Sequence, residues 1–536
     1  MTYPANDQAV TNLRGALMIM TYDRMPLLEQ FMQIKKTAGL LEGCNMTVAY
    51  SDEFLQAKET NAPWQLVSPA TTDPQYLDFI DEYGGDIERW MADGNEVVVH
   101  KTIPSGDLWN LMITSARKSA EPGIAFISKI NYLSNSHFYG RIISSNPCAE
   151  QFLSKYAVCN LNSVNYSKLV NDEPKNPKQI RKYRGIYEYA TNELMPKLNK
   201  EDQVLFDRII HDSIDWELYE ALLRTAQHIG DAVSLFTMYP LEKIKENALR
   251  EMRIGVGVIG VHDMLIKLHV RYGTELSMAI LDIMGAFHAW VLVDESIKQA
   301  KEYGEFDYLK GNREKLLESG FYQHFLTHFP HFRALILEHG IRNVNLSSIQ
   351  PTGTTGTLAN KSTGIEPYYA LSFYRNSRAG TFEVEIAPLK EFRKQFGRDA
   401  ELPDYFMTAM DLSLLDHARV QATFQKWIDN AISKTGNGKS LTTYYREIKE
   451  LNKDKELSEE TLWKAAEQAA DADCADFYQY LTDHGAKGGT VYFDGSRGTQ
   501  VLESIDLGNS MNQRADDGTC RMMVVDGVIV KVGNCG

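Results

Sequence analysis

SNPCAEQFL, residues 145–153, sets an amide, a thiol and a carboxylate at alternate positions: Asn146, Cys148 and Glu150. Pro147 biases Asn146 away from helix and toward extended backbone. Alternate side chains of an extended strand share a face, so the three are expected to project together from one short finger. The plainer alternative is a buried cysteine in an ordinary loop, since most free cysteines simply pack.

Two further stretches bear on that choice. AVCNLNSVN (157–165) follows closely and brings a second thiol, Cys159. QPTGTTGTLANKSTGIEP (350–367) sets Pro351, Thr352, Gly353, Thr354, Thr355 and Gly356 before a helix expected to begin near Thr357. Backbone N–H groups and hydroxyls there would cradle a diphosphate, helped by the helix dipole; an N-capped surface turn is the alternative. It is not a Walker loop, because Asn360 and not glycine precedes Lys361. Gly255, Gly257 and Gly260 spell GxGxxG, but the preceding EKIKENALREMR has a helical pattern, so a dinucleotide-binding turn lacks its strand. A helix packed closely through small residues is expected there instead.

Helical periodicity dominates 201–235, 276–303 and 412–433. Short apolar runs at 15–22, 96–103 and 489–495 read as strands. This alternation favours α/β architecture. NDEPKNPKQ (171–179) reads as a surface loop, GNGKS (436–440) as a break, and Tyr444-Tyr445 as structural aromatics near a helix start. Acidic residues outnumber basic ones 71 to 56, which argues against broad binding to a nucleic-acid backbone. No uninterrupted apolar run approaches the roughly 18 residues of a membrane span, and MTYPANDQAV does not read as a signal peptide. Six cysteines are too sparse for a disulfide scaffold, so a reducing cytoplasm is the default expectation.

Taken in order, NPCAEQFL, CNLNSVN, RIGVGVIGVHDMLIKL and PTGTTGTLANKSTGIEP resemble the large catalytic chain of ribonucleotide reductases, from about Leu13 to Glu503. The resemblance implies a ten-stranded β/α barrel of the ribonucleotide reductase/glycyl radical type with a central finger loop. It implies that Cys148 becomes a thiyl radical, Glu150 is the general base, Asn146 hydrogen-bonds the ribose, and Cys159 is one of two reducing thiols. The threonine segment would hold substrate phosphate, and RIGVGVIGVHDMLIKL would be the family's glycine-rich helix. KKTAGLLEGCNMTVAYSDEF, with Lys36, Gly39, Gly43 and Asn45, resembles the loop that couples a dNTP or ATP effector to substrate choice.

The branch of the family follows from resemblance as well. ARVQATFQKWIDNAISKT (418–435) and KGGTVYFDGSRGTQVLE (487–503) are similar to the adenosylcobalamin-dependent branch. Where a stacked tyrosine pair would serve a separate metal-radical subunit, this chain has Val491-Tyr492-Phe493. The closing KVGNCG does not resemble a glycyl-radical loop. A large subunit working with a metal-radical partner, and a non-catalytic nucleotide-binding regulator, are the competing readings. No metal site is assigned.

Two departures from the pattern stand out. The first redox cysteine should lie well upstream of NLRGALMIMTYDR (12–24), and Cys44 is wrongly placed for it. The expectation is therefore a split enzyme: residues 1–505 form a barrel incomplete at its N-terminus, and a second polypeptide supplies the remaining elements and the other redox cysteine. Residues 506–536 are expected to form a linker and a hairpin turning at Asp526-Gly527, which would bring Cys520 near Cys535. That pair would accept electrons from a thioredoxin- or glutaredoxin-like donor; inert tail cysteines or half of a shared zinc site are the alternatives.

Overall fold

The computed structural model describes residues 16–37, 40–41, 43–171, 178–377, 380–496, 503–504, 521–525 and 528–532. Its centre is a ribbon of strands. Leu17–Tyr22 pairs parallel with Cys44–Tyr50, which pairs parallel with Gly123–Phe126. Gly123–Phe126 meets Gly488–Phe493 antiparallel, and Gly488–Phe493 runs parallel to Thr435–Gly438. These make one five-stranded sheet. Parallel bridges continue the ribbon: Ile432 to Ile349, and Ser347 to Val256. Ile254–Ile259 then pairs parallel with Asn160–Asn165. Two parallel sets therefore meet at one antiparallel seam.

Among the described residues no pairing joins Leu17–Tyr22 to Asn160–Asn165, so the ribbon stays open between these two edges. The expected closed ring of ten strands is not formed by these residues.

Helices cover the ribbon, which is why strands such as Gly123–Phe126 and Ile254–Ile259 are apolar and buried along their whole length. The helix Glu275–Tyr303 is long and apolar enough to cross a membrane, but 94% of its apolar window is buried inside the protein. It packs on Trp216–Phe236 and on Leu414–Gln425. Trp427 is fully buried against this helix, with its Nε1 donating to Asp282 at 2.7 Å. Truncating such a side chain to alanine costs about 3–5 kcal/mol.

Helix forms in all three stretches, although 201–235 is broken at Ile214-Asp215 between Lys200–Arg208 with its π-helical extension and Trp216–Phe236, and 412–433 ends as helix at Gln425. The runs expected as strands overlap the strands Leu17–Tyr22, Val97–Pro104 and Gly488–Phe493. Three local expectations are overturned. RIGVGVIG is a strand, not a helix, with a short helix Val261–Lys267 after it. Its glycines serve close approach: a Cβ on Gly257 would sit 2.6 Å from the Ser348 carbonyl oxygen. GNGKS is not a break, because Thr435–Gly438 is a barrel strand. A Cβ on Gly438 would lie 2.6 Å from the Phe493 ring, so glycine lets an aromatic seal the strand.

The third correction concerns the finger. Asn146 to Glu150 is not an extended strand but a tight turn at the tip of a hairpin made by Ser144–Ser145 and Phe152–Leu153. Asn146 N–H donates to Gln151 O at 3.2 Å, Ala149 N–H to Asn146 O at 3.0 Å, and Ala149 takes φ 58°. The turn reclaims the backbone groups that an extended segment would have left unpaired.

The C-terminal hairpin, Arg521–Val525 with Val528–Val532, forms as expected. Val528, Val530 and Val532 are fully buried in the same apolar cluster as the helix Glu459–Asp483. Asn452 locks it by bonding both the N–H and the carbonyl of Ile529. Much of 171–179, Asp526-Gly527, Cys520 and Cys535 lie outside the described residues.

Candidate active site

The finger hairpin is held from below by one polar relay. Phe152 N–H donates to Asn430 Oδ1 at 2.9 Å, and Asn430 Nδ2 donates to Gln151 Oε1 at 2.6 Å. Ala431 N–H donates to Glu150 O at 3.2 Å, and its carbonyl accepts from Ile349 N–H at 3.0 Å. The finger is thereby bonded to the strand that carries the threonine segment at its end. Asp429 fastens the same place: it accepts from the backbone N–H groups of Leu346 and Ser347 and from Asn135.

On this support Cys148 stands exposed at the tip and Glu150 is buried to 2% exposure. The protein packed around the Cys148 sulfur, and then the Glu150 charge, push the thiol up to about 11. Glu150 is pushed above the usual carboxylate range by burial, with the Asn146 amide opposing. Its Oε2 finds no hydrogen-bond partner among the described residues, and neither does Gln151 Nε2. A carboxylate with one oxygen bare and a raised pKa is a stronger base than an ordinary surface carboxylate and is placed to take a proton. Asn146 Oδ1 is occupied, accepting from Gln151 N–H at 3.1 Å.

Cys159 precedes the strand Asn160–Asn165, whose register pairs Asn160 with Ile254. This places Cys159 alongside Arg253. Burial raises its thiol well above the usual range, Arg253 opposes, and Asp429, Glu150 and Glu251 add to the rise. Glu150 thus influences both Cys148 and Cys159, and the two thiols share one electrostatic neighbourhood. Arg253 and Glu251 form an ion pair at 3.1 Å in which neither side chain is exposed. Glu251 also accepts from Tyr139 and Ser154, each at 3.0 Å.

In the threonine segment the helix is Gly353–Ala359, so Gly353 to Gly356 form its first turn rather than precede it. Thr352 is the N-cap residue at φ 49°, and its Oγ1 accepts from Gly364 N–H at 2.8 Å instead of capping the helix. Gly353, Thr354 and Thr355 are exposed, Pro351 is half-buried and Gly356 is buried. Gly353 and the two hydroxyl-bearing residues Thr354 and Thr355 therefore stand at the surface, while the Gly356 N–H is spent on Thr352 O at 2.6 Å. Glu366 of the same motif points to the core instead, where it pairs with buried Lys434 at 2.8 Å and accepts from Thr435 N–H at 2.6 Å.

The loop expected to govern specificity touches the finger. Asn45 Nδ2 donates to Pro147 O at 2.6 Å. Lys36 donates to Gln33 at 3.1 Å, and Gly43 has open space where a Cβ would stand. Gly39 lies outside the described residues. Lys35, which no sequence motif singles out, ties the loop down through Leu41 O and Cys44 O, each at 2.7 Å.

The family model described as "ribonucleotide reductase, barrel domain" matches residues 5–453. The chain belongs to the ribonucleotide reductase family. It is 27% identical over 514 residues to a "Vitamin B12-dependent ribonucleoside-diphosphate reductase" of Thermoplasma acidophilum, covering 91% of this chain and 52% of that protein. A protein of Mycobacterium tuberculosis with the same description is 24% identical, with 92% and 58% covered. A "Ribonucleoside-diphosphate reductase subunit alpha" of Chlamydia muridarum is 24% identical, with 78% and 41% covered. The chain spans about half the length of the curated relatives it matches.

For a ribonucleotide reductase catalytic chain, the residues that sequence reasoning missed are those that hold the finger: Asn430, Gln151, Asp429 and the Arg253–Glu251 pair. Gln151, Arg253, Asp429 and Asn430 lie inside quoted stretches, but no spacing there assigns them a role. Their signal is burial of polar groups that only partners far along the chain can satisfy. Among the described residues no group of three His, Cys, Asp or Glu side chains is placed to hold a metal ion.

Proposed function

We propose that this chain reduces ribonucleotides to 2′-deoxyribonucleotides by thiyl-radical chemistry at Cys148. The observation that carries the reading is the tip thiol of Cys148, exposed beside a buried carboxylate, Glu150, with one free oxygen. Cys148 as a thiyl takes the 3′ hydrogen of the bound sugar and returns it at the end. Glu150 takes the 3′ hydroxyl proton. Asn146 orients the ribose through its amide. Cys159 and a second thiol give two hydrogens, the 2′ hydroxyl leaves as water, and the thiols close to a disulfide. Pro351 to Gly356 hold the phosphates on N–H groups and hydroxyls.

Adenosylcobalamin is the radical source we assign, and it would supply a carbon-centred radical able to draw a hydrogen atom from a thiol. The residues present fit a source that meets the thiol directly. Cys148 is open to solvent, and buried Phe493 has no hydroxyl with which to relay a proton and electron from elsewhere. The descriptions of the Thermoplasma and Mycobacterium relatives support the same choice. Cys148 is the residue that would face the group.

The partners we assign are a ribonucleotide, a dNTP or ATP effector, a thioredoxin- or glutaredoxin-like reductant acting through Cys520 and Cys535, and a second polypeptide. The edges Leu17–Tyr22 and Asn160–Asn165, which no strand joins among the described residues, support the last of these, since unpaired strand edges invite strand addition. That polypeptide would add strands between the edges and bring the thiol that pairs with Cys159. The test combines this chain with such a polypeptide, adenosylcobalamin, a dithiol and a ribonucleoside diphosphate. Deoxyribonucleotide that depends on cobalamin is the expected product. Product formed only with a metal-radical subunit would transfer the chain to the other branch, and nucleotide binding without turnover would make it a regulator.

A further inference from the structure

A cavity of about 430 Å³ opens between the start of the helix Gly320–His328 and the segments around Lys426 and Gly485. Its lining holds Lys426, Lys487, His324 and His484, and no aspartate or glutamate among the described residues, although Lys426 Nζ reaches out of the lining to Asp282 at 2.8 Å. That is unusual in a chain with 71 acidic and 56 basic residues.

The helix adds to the positive character. Ser319 caps Tyr322 N–H and accepts from Gln323 N–H through its carbonyl, which leaves the N–H groups of Gly320 and Phe321 in the cavity lining without a backbone partner among the described residues. Helix N-termini with free N–H groups favour anions. A second observation points independently to a ligand. Gln425 is 5% exposed and spends its amide N–H on Ile428 O and Asn430 O, but its Oε1 has no partner. His324 Nε2, also in the lining, has none either. A buried acceptor without a donor costs about 1–3 kcal/mol, which a ligand hydroxyl or amine would relieve.

We propose that this cavity binds a small organic anion, a phosphate or carboxylate that also carries a hydroxyl or amino donor. The anionic group sits at the first turn of Gly320–His328 beside Lys426 and His484, and the donor meets Gln425 Oε1. Phe321 and Tyr132 supply the apolar wall. The cavity volume suits a ligand of metabolite size. The site also has a path to the finger. Lys487 Nζ donates to Asp429 O at 2.7 Å, and the next residue, Asn430, holds Phe152 and Gln151. The proposal does not depend on the reductase reading.

Calorimetric titration of the full chain with glucose 6-phosphate and, separately, with citrate tests it. At least one is expected to bind saturably at one site per chain, and which one does so separates phosphate from carboxylate. His484→Gln, at an exposed position, should weaken that binding tenfold or more while thermal unfolding stays at the wild-type temperature; Lys426→Gln should weaken it as much, with a lower unfolding temperature because buried Asp282 loses its cationic partner. Thr354→Val/Thr355→Val should leave it unchanged. The proposal is overturned if neither anion saturates, if both cavity variants bind as the wild type does, or if the threonine variant abolishes binding.

Discussion

Arg253→Met probes the buried polar frame behind Cys159. The wild-type pair with Glu251 is closed at 3.1 Å with neither side chain exposed. Glu251 keeps the hydroxyls of Tyr139 and Ser154 at 3.0 Å, but two neutral donors do not replace a guanidinium. Removing one partner of a buried ion pair strands the other charge and costs about 3–5 kcal/mol. The expected loss in urea unfolding is of that size. Arg253→Met/Glu251→Gln should recover most of it, because a neutral amide can use the same two hydroxyls. The Cys159 thiol supplies an independent readout: Arg253 opposes the effect of burial there, so the single variant should alkylate more slowly at fixed pH. A loss below about 1 kcal/mol, or a double variant no better than the single one, would refute the reasoning.

Glu150→Gln should lower deoxyribonucleotide formation by about 10²–10⁴-fold. In the wild type the acid limb of kcat/KM should lie above the ordinary carboxylate range, because burial raises Glu150; a limb at or below that range would contradict the assignment. Asn45→Ala removes the bond to Pro147 O, so relative rates with different substrate bases should shift under a fixed effector; unchanged ratios would separate that loop from specificity. Lys487 is lowered to about 7 by burial. Between that pH and its unfolded value of about 10.4 the unfolded chain holds the proton and the folded chain does not, so stability rises with pH across this window. Lys487→Met should flatten that rise, on the order of a few kcal/mol in all, in unfolding measured at pH 7 and pH 10.

The long helices and the strands at 17–22 and 488–493 were legible because their apolar spacing is regular over many residues. The glycine-containing strands were not. In IGVGVI and TGNG the decisive partners are Ser348, Phe477 and Phe493, all distant in sequence, and propensity assigns glycine to turns or breaks. Cys148 and Glu150 emerged from local spacing, yet their setting did not. The extended finger became a turn because Gln151 and Asn430 could satisfy its backbone. Asn45 reaching Pro147 and Arg253 lying alongside Cys159 are consequences of strand register, which no single segment encodes.

The most direct measurement is deoxyribonucleotide formation by Cys148→Ser in the reconstituted assembly, with nucleotide affinity measured in parallel. Because serine cannot hold the radical, product should fall to background while the nucleotide still binds. Turnover at the wild-type rate would contradict the account.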